Sequence, residues 1–315
     1  MRDLSSAMSS SAASTRSSTK PRIDVLAIDL DGTLLDPNHE VSQRNIDAVR
    51  RARDAGITVL VCTGRGLGES INVMRAIDQQ EPVMVAGGSI IADPTTGETL
   101  HRFTLSDQVV RKATDLFHEV GCPALVMKDP AEINYEYLVL HSDDEHPIHP
   151  ITEWWFNDHQ LRVNYAPHTH HDEHPEHTVR VGMCAESSIS NPVTERIVRE
   201  LGDDVWLYDF PCVMPDSHSG EIVHILELFA HRINKWAAIS WYLQRHDIDP
   251  QRVGAIGDQV NDVPMMEQAG IGIAMGNAVD QVKAHARFAT ADNRSDGVAL
   301  AIDAILSDNL SRLER

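Results

Sequence analysis

Two rhythms of apolar residues run along this chain. Near the start, Ile23-Asp24-Val25-Leu26-Ala27-Ile28-Asp29 is a short β-rich run that ends in acid, the pattern of a strand buried on both faces. Turn residues follow to about His39. Ser42 then stands where an N-cap belongs, Ile46, Val49 and Ala52 recur at helical spacing, and Gly56 ends the helix. Ile57 to Cys62 is a second buried run, followed by Thr63-Gly64-Arg65, and Pro82 to Ala86 a third, running into Gly87-Gly88. Strand, helix and strand, with polar residues at each strand end, predict a βαβ unit of a parallel sheet. The rhythm returns late in the chain. Val223–Leu228, Arg252–Gly257 and Ile271–Met275 read as strands, and Asn234–Leu243, Val260–Ala269 and Val298–Leu306 as helices.

The middle differs. Expected strands at Ala124–Lys128, Tyr137–His141, Val179–Cys184 and Val205–Tyr208 mix with helices at Gln108–Val120 and Val193–Leu201. Irregular polar stretches, Ser142–Pro150 and His168–His177, lie among them. The expected organisation is therefore a Ser-rich tail over 1–20, an α/β core over 21–90 and 222–315, and an α+β domain inserted at 91–221. The tail lacks an apolar stretch of the secretory kind and reads as disordered, or as sequence upstream of a start at Met8.

Composition narrows the function. Hydrophobic residues make up 42% of the 315 and charged residues 23%, a globular balance, and no apolar run approaches the ~20 residues of a membrane helix. The formal net charge of -20 argues against nucleic acid as partner and means that any phosphate site must bring its own positive charge. Cys62, Cys122, Cys184 and Cys212 form no CxxC pair and read as free thiols, which sets a cytoplasmic location as the expectation.

Four segments carry candidate chemistry. Asp29-Leu30-Asp31-Gly32-Thr33 puts two carboxylates at the carboxyl end of a strand, where open α/β sheets place ligands. Thr63-Gly64-Arg65 offers a hydroxyl and backbone N–H groups suited to a phosphoryl oxygen. Lys235 opens a helix in the second half. Gly257-Asp258-Gln259-Val260-Asn261-Asp262 places short oxygen ligands after a strand, as Mg²⁺ prefers. Each alone has a bland reading as a turn, a cap or a solvated lysine; the ordered set is the signal.

With these motifs the chain resembles the haloacid dehalogenase superfamily of phosphatases, in its Cof-type branch with a subclass IIB cap. The DLDGT box at 29–33, Cys62-Thr63-Gly64-Arg65, Asn234-Lys235, GDQVND at 257–262, Ala274-Met275-Gly276-Asn277-Ala278 and Asp296-Gly297-Val298-Ala299 carry the resemblance. It implies a Rossmann-like parallel-sheet core with an inserted C2-type cap, and Mg²⁺ as cofactor. It implies Asp29 as nucleophile and Asp31 as general acid and base, which calls for a raised pKa. Thr63 and Lys235 would complete the catalytic set. Thr63, Gly64, Arg65, Gly87, Gly88 and Lys235 would hold substrate, and Asp29, Asp31, Asp258, Asn261 and Asp262 the metal, some of them through its waters. The expected substrate is a small phosphorylated metabolite, a sugar phosphate first; flavin or pyridoxal phosphates stand behind it. Two positions depart from the branch: Gly87 where Asn is usual, and Trp236 where a Gly often follows the lysine.

Other readings stand beside this one. A receiver-like switch also uses Asp, Thr, Lys and Mg²⁺, but Asp31 and the inserted domain oppose it. A phosphomutase of the same superfamily and a silent phosphate-binding protein are further alternatives. Histidines 141, 146, 149, 159, 168, 170, 171, 174 and 177 enrich the inserted domain. With Asp172, Glu173 and Glu176 interleaved they read as a solvated loop, a transition-metal site being the alternative. Trp154-Trp155-Phe156 reads as core, with a substrate wall as the alternative.

Overall fold

The computed structural model describes residues 23–141, 145–212 and 222–313. The Ser-rich tail and part of the Ser142–Pro150 stretch lie outside them. In chain order the first half of the core holds β1 (Val25–Ile28), α1 (Gln43–Asp54), β2 (Thr58–Val61), α2 (Leu67–Ala76), β3 (Val83–Val85), β4 (Ile90–Ala92) and β5 (Thr99–Arg102). The inserted domain follows with α3 (Asp107–Glu119), β6 (Ala124–Lys128), β7 (Tyr137–Leu140), α4 (Pro150–Asp158), β8 (Val163–Ala166), β9 (Thr178–Glu186), α5 (Ser187–Leu201), β10 (Val205–Pro211) and β11 (Val223–Ala230). The core resumes with α6 (Lys235–His246), β12 (Val253–Gly257), α7 (Val263–Gln268), β13 (Ile271–Ala274), α8 (Asp280–His285), β14 (Phe288–Ala289) and α9 (Gly297–Leu306).

The core sheet runs β14-β13-β12-β1-β2 and its neighbours pair in parallel. A parallel bridge from Cys62 to Met84 carries β3 onto the β2 edge. Every residue of β1 is buried, as the unbroken apolar run requires of a central parallel strand. The expected helix starts hold: the Ser42 side chain accepts from the Asn45 N–H at 3.1 Å, and the Asn234 side chain accepts from the Ala237 N–H at 3.1 Å. Among the described residues no helix is long and apolar enough to cross a membrane.

The cap is a second sheet, β10-β11-β9-β6-β7-β8, antiparallel except where β7 meets β8. Helices α3 and α5 pack on it, and Phe117, Val193 and Ile197 belong to its separate apolar core. Both expected domain boundaries move. Strands β4 and β5 extend β3 as a meander beside the core, so the chain crosses into the cap at 103–106. Strand β11, read from sequence as core, pairs antiparallel with both β9 and β10, so the return crossing lies at 231–234. The physical reason is the side-chain pattern: Leu226 and Leu228 face the cap core while Glu227 between them points to the other face, which suits a one-face-buried antiparallel strand and not the interior of a parallel sheet.

Candidate active site

The carboxyl ends of β1, β2, β12 and β13 lie side by side, and the loops leaving them form one site. Asp29 is the first residue past β1. Gly32 then turns the chain with φ +75°, and its Cα faces Asp258 so closely that a Cβ would lie 2.2 Å from Asp258 Oδ2. Only glycine meets both demands. Thr33 donates its hydroxyl to Asp258 Oδ1 at 3.0 Å, and Asn277, past β13, donates from Nδ2 to the Gly32 carbonyl at 2.8 Å. The Asp29 and Asp258 loops, far apart in sequence, are thus locked together.

Lys235 enters from the start of α6. Its ammonium donates to Asp29 Oδ1 and to Asp262 Oδ1, each at 2.5 Å. Asp262 uses its other oxygen to accept the backbone N–H groups of Asp258 at 2.9 Å and Gln259 at 3.0 Å. Both of its oxygens are therefore engaged in holding Lys235 and the loop. Carboxylate oxygens of Asp29, Asp258 and Asp262 all lie within 4.8 Å of one another. Burial pushes Asp29 well above the usual carboxylate range and the charge of Asp262 adds to this, while Lys235 opposes. Asp258 is pushed up to about 7 by burial and then by Asp262. Burial disfavours the Lys235 ammonium, but Asp262 and Asp29 outweigh it and raise its pKa. Three crowded carboxylates against one ammonium leave an excess of negative charge that suits a divalent cation.

Thr63 is fully buried. Its N–H donates to the Met84 carbonyl at 2.8 Å, its carbonyl accepts the Gly87 N–H at 2.9 Å, and its hydroxyl oxygen accepts the Arg65 N–H at 3.1 Å. Gly64 faces the acidic loop: a Cβ there would lie 4.0 Å from Asn261 Nδ2. Gly87 and Gly88, expected to hold substrate, are buried supports and do not line the cavity; of the other expected substrate residues Gly64 and Arg65 line it, while Thr63 and Lys235 lie buried behind its wall. A Cβ at Gly88 would lie 2.3 Å from the Asn234 carbonyl oxygen, and one at Gly87 would lie 2.6 Å from the Phe229 ring. The Phe229 ring fills the space an Asn at 87 would need. Trp236 packs partly buried against the core.

Asp31 departs from expectation. Arg65 grips it with two hydrogen bonds, Nε to Oδ2 at 2.8 Å and a terminal nitrogen to Oδ1 at 2.5 Å. His39 Nδ1 stands 3.6 Å from the same Oδ1. Desolvation pushes the Asp31 carboxyl up, but the neighbouring His39 and the hydrogen bonds from Arg65 outweigh it and hold the group well below the usual range. An expected raised pKa gives way to a charge-assisted bidentate pair.

A cavity of about 350 Å³ opens between this site and the cap. Asp29, Asp31, Arg65 and Asn261 line its core side. Trp154, Trp155 and Phe156 line the cap side, which favours the substrate-wall alternative over the core reading of this triplet; of the three only Phe156 is buried. The Arg65 guanidinium lies 5.4 Å from the Trp155 ring centroid, and Trp155 Nε1 donates to Glu69 Oε1 at 3.3 Å. Arg180, from β9, reaches across to donate to the Gly64 carbonyl at 3.1 Å. It also donates to the Tyr137 hydroxyl at 2.6 Å and pairs with Glu227 at 2.6 Å. Thr33, Asn277, His39 and Arg180 were not singled out as site residues by sequence reasoning. Thr33 and Asn277 lie within quoted motifs; Arg180 has no local signal, since sheet register alone aims it.

A family profile of haloacid dehalogenase-like hydrolases matches residues 26–302. Among curated proteins, the chain is 30% identical over 299 residues to the 5-amino-6-(5-phospho-D-ribitylamino)uracil phosphatase YwtE of Bacillus subtilis, covering 90% of this chain and 98% of that one. It is 26% identical to the pyridoxal phosphate phosphatase YbhA of Escherichia coli, covering 87% and 96%. Among solved structures, a haloacid dehalogenase-like hydrolase from Bacteroides thetaiotaomicron superposes with a TM-score of 0.71 at 23% identity, covering 90% and 99%; at that identity the likeness shows the fold.

Proposed function

Since the chain belongs to the haloacid dehalogenase-like hydrolase family and is a phosphatase, we propose that it hydrolyses phosphate monoesters of small metabolites through a phosphorylated Asp29, with Mg²⁺ as its resident cofactor. The observation that carries this is the buried Asp29–Lys235–Asp262 chain set against Asp258.

The donor set fits Mg²⁺. It is all oxygen, it carries excess negative charge, and Asn261 Oδ1 is a buried acceptor with no hydrogen-bond partner among the described residues. Asp29, Asp258 and the backbone carbonyl of Asp31 would hold the ion, with Asn261 and Asp262 orienting its waters or Lys235. Bound there, Mg²⁺ would neutralise charge between an anionic nucleophile and an anionic phosphate.

The protein's own groups divide the work. Lys235 fixes the direction of the Asp29 carboxylate, which attacks phosphorus as the ester P–O bond breaks. The buried Thr63 hydroxyl, its oxygen accepting from Arg65, donates to none of the described residues and would offer its proton to a phosphoryl oxygen. Asp31 gives a proton to the leaving alkoxide. It then takes one from the water that attacks phosphorus and releases Asp29. The Arg65 clasp keeps Asp31 anionic, the form the second step needs. For the first step Arg65 must loosen its grip, an oxygen-rich substrate beside it supplying the competing partner, so that Asp31 takes up a proton from solvent before it protonates the alkoxide.

The cavity's size supports a small metabolite. Sugar phosphates head the screen, and the Trp154–Trp155 wall equally favours phosphate esters that carry a flat heteroaromatic ring. Asp29→Asn should fold normally and lose p-nitrophenyl phosphate hydrolysis, and wild type should lose it in EDTA and regain it with Mg²⁺. Turnover by the Asn variant, or full activity without metal, would end this reading.

A further inference from the structure

The histidine-rich cap loop divides in two in space. His168, His170 and His171 gather with His141, ring beside ring. His174 and His177 turn the other way and meet Glu176 and Glu132. From this second group we infer a transition-metal site of the zinc class, separate from the oxygen-only site of the core and independent of its chemistry.

The ligand atoms are already spaced for it. His177 Nε2 lies 3.5 Å from Glu176 Oε1 and 3.6 Å from Glu132 Oε2, and His174 Nδ1 lies 3.7 Å from Glu176 Oε1. Ligand atoms of His174, Glu176 and His177 all fall within 4.8 Å of one another. Bonds of about 2.0 Å at the tetrahedral angle put zinc's ligands about 3.3 Å apart, so these three contacts lie within a few tenths of an ångström of that spacing, while the exposed Glu132 side chain, outside the compact group of His174, Glu176 and His177, would swing in as the fourth ligand.

The electrostatics point the same way. The His177 side chain is 6% exposed, and its Nδ1 has no hydrogen-bond partner among the described residues. Its Nε2 faces two carboxylates from beyond good hydrogen-bond distance. Nε2 is thus the ring nitrogen aimed at the carboxylates, and a cation between them would take its lone pair. Imidazole nitrogens select zinc-like ions over Mg²⁺ or Ca²⁺.

The backbone beneath is rigid. Lys128, with a fully buried side chain, donates to the His174 carbonyl at 3.0 Å, to Thr178 Oγ1 at 2.7 Å and to Asp172 Oδ2 at 2.5 Å. The Asp129 N–H holds the His177 carbonyl at 2.9 Å. Glu132 keeps its other oxygen towards Arg102 of β5 at 3.6 Å. Metal here would tie the β6–β7 loop to the head of β9, beside the 103–106 crossing.

The test is zinc binding by the full chain after EDTA treatment, with excess Mg²⁺ present to fill the oxygen site. One Zn²⁺ per chain should be retained through dialysis, Co²⁺ in its place should give the visible band of a tetrahedral nitrogen–oxygen site, and the melting temperature should rise with zinc. His174→Ala and Glu176→Gln alter exposed or half-exposed side chains. Each should weaken binding by more than about tenfold, since even an outer-shell partner is worth about 10–100-fold. The triple variant His168→Ala/His170→Ala/His171→Ala should bind as wild type does. No zinc on the wild type, wild-type affinity in His174→Ala, or loss of binding in the triple variant instead would each overturn the assignment.

Discussion

Replacing Lys235 by methionine removes one charge from the centre of the site and little volume. The ammonium is 1% exposed and meets carboxylates that are 6% and 0% exposed. Taking one partner from a buried ion pair costs about 3–5 kcal/mol, because the remaining charge has nowhere to go. Methionine keeps most of the stem's packing, so the cavity contribution stays small. Part of the loss is recovered because Asp29, already biased toward protonation by burial and by Asp262, takes up a proton. A net fall of about 3 kcal/mol is expected in the metal-free chain, or about 6–12 °C in melting temperature at about 2–4 °C per kcal/mol. Thermal melts in EDTA read this directly. Mg²⁺ should restore some of the stability, while turnover stays down by about 10²–10³-fold, as for other single charge-stabilising donors. Adding Asp262→Asn should recover stability and leave turnover low, since the two residues share one network. A metal-free melt of Lys235→Met identical to wild type would refute the reasoning.

Three further outcomes follow from the same geometry. Arg65→Met should free Asp31 to hold its proton to higher pH, moving the alkaline limb of the kcat/KM profile upward; an unmoved limb would mean the clasp does not set that titration. Gly32→Ala should weaken Mg²⁺ binding by more than about tenfold, read by calorimetry, because its Cβ collides with Asp258 at 2.2 Å in a φ +75° turn. In EDTA, Asp258, raised to about 7 by burial and then Asp262, keeps a proton that the unfolded chain releases near its ordinary pKa of about 3.9. Its contribution to stability is full below that value and is lost as pH rises through about 7. Melts across this window should show the decline, and Mg²⁺ should flatten it.

The residues that declared themselves in sequence are those whose position follows from a strand end. Asp29, Thr63 and Asp258 each follow a short apolar run, and a parallel sheet brings such ends together whatever lies between them. Lys235 was legible only through the ordered set, because a lysine at a helix start is ordinarily solvated. Strand β11 was misplaced because Val223 to Leu228 is apolar enough for either sheet; Glu227, an acid in mid-strand, was the overlooked sign. Helix α4 was missed behind Pro150, which serves as its first residue. The cap residues of the cavity depend on register, with Glu227 opposite Gly182 and Leu228 opposite Val181, and no local pattern announces which neighbours two strands will choose. Asp31's low pKa comes from His39, past the turn, and from Arg65, 34 positions away, both beyond what spacing within a motif reveals.

Strand β11 is cap by its hydrogen bonds and catalytic core by its continuation, since only 231–234 separate Ala230 from Lys235. Exchanging specificity modules between relatives therefore has natural splice points at 103–106 and 231–234. A chimera cut ahead of Val223 would give the foreign sheet the host's strand. A module moved whole brings its own counterpart of Phe229, and a bulky ring there accepts only a host with glycine at 87. Recombination and laboratory shuffling alike must carry that pair together.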